Sequence, residues 1–266
     1  MDKFTREEQD VPEERLAVRL MRNIHRYIFC NLICFVIGLP ILAWIYFLIN
    51  SYVPGHTLPG VSIFALPLLQ LPPPIFYGLL ALSAMCIAPA YLGFHYIAGA
   101  GIMNKDVNMS EFFKKTVQNI KQSVIIGVFG LIFIQLFLWN IFGGLSSDLM
   151  WRNIALIAAQ WASILFGLFF GMALPYMLQL MPLIAQPIWT IGKNAMILAR
   201  VYWWRNLLLL VGTLAYWWLV TTTLPNAGLI VLPLFGTVPP VVAGAVICRP
   251  LVEKHILDPA RRSSDG

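Results

Sequence analysis

Long uncharged stretches alternate with short charged ones along this chain. Between Arg26 and Lys105 there is no Lys, Arg, Asp or Glu. The same holds from Gln122 to Ser147, from Asn153 to Gly192 and from Asn206 to Cys248. Apolar residues run continuously through these stretches instead of alternating, which predicts helices and not barrel strands. A helix of about 20 apolar residues crosses a bilayer. The stretches therefore predict six spans, at 28–50, 75–101, 123–143, 154–181, 206–224 and 227–248.

The polar positions between spans have a helical pattern of their own. Asn108 and Glu111 have capping-box spacing, and Val107 and Phe112 can form a hydrophobic staple. Phe113, Val117, Ile120 and Val124 share one helical face, with Lys114, Lys115, Gln118, Lys121 and Gln122 off it. This predicts a helix over 110–122 lying on the membrane surface and bending directly into a span. The plan recurs at 189–204, where Lys193, Arg200 and Arg205 precede another apolar run. Proline placement supports a repeat. Pro89-Ala90-Tyr91 and Leu174-Pro175-Tyr176 each interrupt the preceding span, so 85–143 and 171–224 form candidate parallel repeats.

The expected fold is all-α: a polytopic helical membrane protein with six transmembrane helices and two cytoplasmic amphipathic helices. Residues 1–26 form a cytoplasmic N-terminal arm, 27–248 the membrane domain and 249–266 a cytoplasmic tail. Composition agrees. Hydrophobic residues make up 59% of the 266 and charged residues 11%, against about 25% charged in soluble domains. Mean hydropathy is +0.76.

Charge then sets orientation. With both termini in the cytoplasm, 17 of the 18 Lys and Arg fall inside and only Arg152 lies outside, as the positive-inside rule requires. The net charge of +6 is accounted for by topology and anionic lipid head groups, so nucleic acid is not an expected partner. Arg15, Arg19, Arg22 and Arg26 form a basic stripe on the arm, suited to anionic lipid or to a docking partner. The first apolar run follows mostly polar residues and is too long for a signal sequence, so it is expected to remain as the first span.

Other features point to packing. Asn31, one turn inside the first span, is read as a helix–helix hydrogen bonder. The exterior segment 51–74 is rich in Pro-Gly turns and also apolar, and no regular structure is expected there. Pro89, Pro175, Pro233, Pro239 and Pro240 mark kinks or the lining of a cavity. Cys30, Cys34, Cys86 and Cys248 lie within or at the edge of spans, which argues against a disulfide scaffold. His95 is the one histidine within a span and reads as a packing residue. No Lys, Arg, Asp or Glu falls inside a predicted span, which argues against an ion-coupled carrier. No Walker motif, paired carboxylates, GxSxG or HExxH occurs. No catalysis, cofactor or metal is expected.

Several short motifs resemble the YesL-like family of small bacterial membrane proteins. They are Asn31-Leu32 through Gly38-Leu39-Pro40, Pro89-Ala90-Tyr91, Glu111-Phe112-Phe113-Lys114, Asn119-Ile120-Lys121-Gln122 and the aromatic, basic turn at Tyr202-Trp203-Trp204-Arg205. The resemblance covers roughly residues 25 to 255. It implies the bacterial cytoplasmic (inner) membrane. Genes of such proteins lie beside components of ATP-driven carbohydrate importers and polysaccharide-degrading enzymes. The resemblance therefore implies an assembly or regulatory accessory of carbohydrate ABC import. The alternative is a passive or facilitated carrier of a small solute or lipid through a cavity near the kinked helices.

Overall fold

The computed structural model describes residues 16–52, 59–105, 107–138, 154–220 and 231–259. Every regular element among them is helical. In chain order these are α1 (Leu16–Arg22), α2 (Ile24–Tyr52), α3 (Pro59–Leu69), α4 (Pro73–Ile102), α5 (Met109–Gln118) and α6 (Ile120–Leu138). Then follow α7 (Ile154–Leu180), α8 (Ile188–Val201), α9 (Trp203–Trp218) and α10 (Val238–Val252). A short helical segment at 231–235 precedes α10, and a π-turn, Glu253–Leu257, continues it.

Four helices are long and apolar enough to cross a membrane: Ile24–Leu48, Pro73–Ile102, Gln160–Leu180 and Val231–Leu257. The first two and the Gln160–Leu180 helix fall on spans predicted from the sequence. The fourth begins four residues into its predicted span and runs well past its end. The predicted spans 123–143 and 206–224 begin in α6 and α9, and their outer ends, 139–143 and 221–224, lie outside the described residues.

α4 is the hub, packing against α1, α2, α5, α6, α7 and α10. Small residues let so many neighbours approach: Ala88, Ala90, Gly93, Ala98, Gly99, Ala100 and Gly101 are all buried on it. Gly93 shows why. A Cβ there would sit 2.8 Å from the Phe112 ring and closer still to the Thr116 hydroxyl, so α5 could not seat. α6 crosses α4 as tightly, since a Cβ on Gly127 would lie 2.8 Å from Ala88 Cβ and 3.0 Å from the Ala84 carbonyl oxygen.

α3 departs from the expectation of an irregular exterior segment. Pro59 and Gly60 open this helix, and Val61 and Ala65, one turn apart, are buried against α2 and Phe76. Proline at a first helical turn gives up no hydrogen bond, so a residue that signals a turn here starts a helix. Pro72 and Pro73 do the same for α4.

The α5–α6 and α8–α9 junctions share a geometry. α5 begins after Asn108 (φ −75°, ψ 155°) and stops at Asn119 (φ −109°, ψ 14°), and α6 follows at once. α8 begins after Pro187 (φ −63°, ψ 147°) and stops at Tyr202 (φ −108°, ψ 31°), and α9 follows at once. Four residues past each hinge stands a fully buried polar residue, Ser123 in one case and Asn206 in the other. The order of long proline-containing helix, short helix and apolar helix thus occurs twice.

The capping box does not form: the Asn108 side chain makes no cap hydrogen bond, and Glu111 instead pairs with Lys114 at 3.6 Å. Val107 and Phe112 do join one apolar cluster. The predicted stripe is the outward side of α5. Val117 is 66% exposed, and Phe112 is the residue that docks the helix.

Candidate functional site

Two buried polar side chains, Asn31 and Thr237, meet where the chain breaks before α10. Asn31 on α2, fully buried, clamps the break. Its Nδ2 donates to the carbonyls of Pro233 (2.6 Å) and Leu232 (3.2 Å). Its Oδ1 accepts from the Thr237 N–H (2.7 Å) and hydroxyl (2.6 Å). Pro239 has no N–H for the Phe235 carbonyl, and Tyr216 Oη donates to that carbonyl instead at 2.9 Å.

Beside the break lies a cavity of about 230 Å³. α4 contributes Tyr91 and His95, α7 Pro175, α9 Asn206 and Thr213, and Thr237 stands at the break itself. Two predicted kink residues, Pro175 and Pro240, are in its wall. Pro239 and Pro240 also line a neighbouring cavity of about 360 Å³ between α9 and α10. Pro89 lies in neither; its carbonyl accepts from the Thr116 hydroxyl at 3.3 Å and so helps seat α5.

Several polar groups at or near the cavity link helices. Tyr176 Oη donates to Asn206 Oδ1 at 3.0 Å, and Asn206 Nδ2 donates to the Ala199 carbonyl at 3.1 Å. One carboxamide thus ties α7, α9 and the last turn of α8. Gln179 Nε2 donates to the His95 carbonyl at 3.0 Å and lies 3.5 Å from His95 Nδ1, joining α7 to α4.

A buried ion pair stands just past the last predicted span. Arg249 Nη2 meets Glu253 Oε1 at 3.0 Å, and both side chains are buried. The apolar helix does not stop at Cys248 but continues to Leu257, and the first residues of the predicted tail pack against the other helices. The signal was present: Pro250-Leu251-Val252 resumes the apolar run after Arg249, and Glu253 is one turn further on.

The basic residues singled out from the sequence have separate surroundings. Arg15 lies outside the described residues. Arg19 donates to the Ile102 carbonyl at 3.0 Å, and Arg22 to Asn104 Oδ1 at 2.6 Å. Both therefore hold the C-terminus of α4, where cations are favoured. Asn104 ends that helix in the left-handed conformation (φ 57°), with Lys105 N–H reaching back to the Ala100 carbonyl at 3.0 Å. Arg26 donates to Asn23 Oδ1 at 3.0 Å. Lys115 stands over the Tyr96 ring at 5.4 Å and Arg205 over the Tyr202 ring at 5.9 Å. Lys121, Lys193 and Arg200 are exposed.

The chain matches no protein-family model, no curated protein and no solved structure, so its resemblance to the YesL-like family rests on the short motifs alone.

Proposed function

We propose that this chain is a six-span protein of the bacterial inner membrane, with both termini in the cytoplasm. In this reading it serves as an assembly or regulatory accessory of an ATP-driven carbohydrate importer and performs no catalysis. The membrane placement is supported by the four long apolar helices and the orientation by the distribution of basic residues. The carbohydrate importer comes from the family resemblance.

One observation carries the accessory reading over a carrier. Several core polar side chains join helices: Asn31 to the break before α10, Asn206 and Tyr176 across α7, α8 and α9, and Gln179, through its Nε2, to α4. The cavity that Asn206 lines, about 230 Å³, is smaller than the roughly 300–1,000 Å³ of ligand pockets, and the neighbouring one lined by Pro239 and Pro240, about 360 Å³, is at the low end of that range. Both are small for an oligosaccharide. The carrier remains the second reading because Pro175 and Pro240 line the smaller cavity, Pro239 and Pro240 line the larger, and their sizes suit a small solute.

Deleting the gene and measuring uptake of labelled oligosaccharide by intact cells tests the accessory role. Uptake through the importer is expected to fall and to be restored by the full-length chain. Unchanged uptake would remove the importer from the account.

A further inference from the structure

A groove of about 540 Å³ opens between α6, α7 and α8, away from the polar cavity. Phe129, Phe166 and Phe170 form its walls. Phe166 and Phe170 stack with centroids 6.2 Å apart, and Phe129 packs against both at 6.4 and 5.9 Å. These rings brace one another, so the groove is held open by stiff side chains. Gln122 Nε2 donates to the Gln186 carbonyl at 3.0 Å, tying the start of α6 to the turn before α8 at one end of the groove.

The lining carries one charged group, Lys193 on α8, which is exposed. Lys121 is also exposed and stands one turn before the lining residue Ile125, on the same face of α6. Trp189, 86% exposed, is in the lining too. Tryptophan favours the membrane–water boundary. An apolar trench with cations and an exposed indole has the chemistry of a phospholipid: hydrocarbon in the trench, phosphate at the cations. A protein partner would need no such division between apolar length and charged side.

We propose that this groove binds one acyl chain of an anionic phospholipid, with Lys193 and Lys121 holding its headgroup. Gly192 permits it. The one atom within 4 Å of a Cβ built there is the Met177 methyl carbon, at 3.8 Å. A larger side chain at this position would enter the groove without meeting backbone.

The test uses the full chain purified in mild detergent, offered phosphatidylglycerol or phosphatidylcholine of identical acyl chains, with bound lipid counted by native mass spectrometry. The wild type is expected to retain one phosphatidylglycerol in preference to phosphatidylcholine. Lys193→Gln should reduce that preference about fivefold, the loss of one cation near an anionic surface. Gly192→Leu should abolish retention of both lipids with helical content unchanged. Met196→Trp, at another lining position, fills the groove from an exposed site if Gly192→Leu does not fold. Three outcomes overturn the proposal. They are equal retention of the two lipids by the wild type, full retention by a folded groove-filling variant, and a dimer that only those variants dissociate. The last would make a second copy of the chain the occupant.

Discussion

The Asn31 carboxamide oxygen accepts two hydrogen bonds from Thr237, one from its N–H at 2.7 Å and one from its hydroxyl at 2.6 Å. A residue near the start of α2 thereby satisfies the backbone of a break more than two hundred positions later. Where no water is present, an interrupted helix requires such a partner. Asn31→Leu should lower stability by about 2 kcal/mol, several interhelical hydrogen bonds of modest individual strength being lost together. Thr237→Val, which keeps the N–H bond, should cost less than half as much. Thermal unfolding in detergent measures both, and equal losses would mean that the hydroxyl alone matters.

Gly127→Leu should separate α6 from α4. Its Cβ would meet the Ala84 carbonyl oxygen at 3.0 Å and Ala88 Cβ at 2.8 Å, and backbone cannot yield as a flexible side chain does. Overpacking of this kind costs about 1–3 kcal/mol. Gly130→Leu, three residues on with nothing within 4 Å of its Cβ, should be tolerated. The pair compared by unfolding midpoint controls for the loss of glycine itself.

The buried pair predicts a non-additive response. Glu253→Gln leaves Arg249 charged among Val252, Cys248 and Leu251, all buried, and should cost about 3–5 kcal/mol. Replacing both, as Arg249→Met with Glu253→Leu, should cost less than the single change. A double change that costs as much as the two single changes added together would show no coupling between Arg249 and Glu253 and would contradict this prediction.

Much of this was legible in the sequence, for identifiable reasons. Charge-free runs located α2, α4 and α7, because hydrocarbon excludes charge wherever it lies in the chain. Asn31 stood out as a polar residue in such a run. What it bonds did not, since its partner is the broken backbone around Thr237 and no pattern near Asn31 encodes that distance. α3 was missed because Pro59 and Gly60 signal a turn as readily as a helix start. Arg249 and Glu253 were assigned to a tail because a charge usually ends a span. Their burial depends on each other and on packing against α7 and α4, which are remote in the chain. Cavity formation was half legible. Pro175, Pro239 and Pro240 stand in cavity walls, whereas the Pro89 carbonyl helps seat α5.

The orientation drawn from the basic residues is open to a direct check. Reporters fused after Asp148 and after Arg262 should report opposite sides of the membrane. An exterior-only reporter that is active at the C-terminus would reverse the topology and move the basic helices outside.

The central claim, that the protein assists transport and carries out none alone, is tested by flux through the purified protein. Reconstituted into liposomes of anionic and zwitterionic lipid, it should give no entry of labelled oligosaccharide or monosaccharide above that of protein-free vesicles. Saturable sugar entry that is lost on Asn206→Leu, at the wall of the central cavity, would contradict the claim and make the protein a carrier.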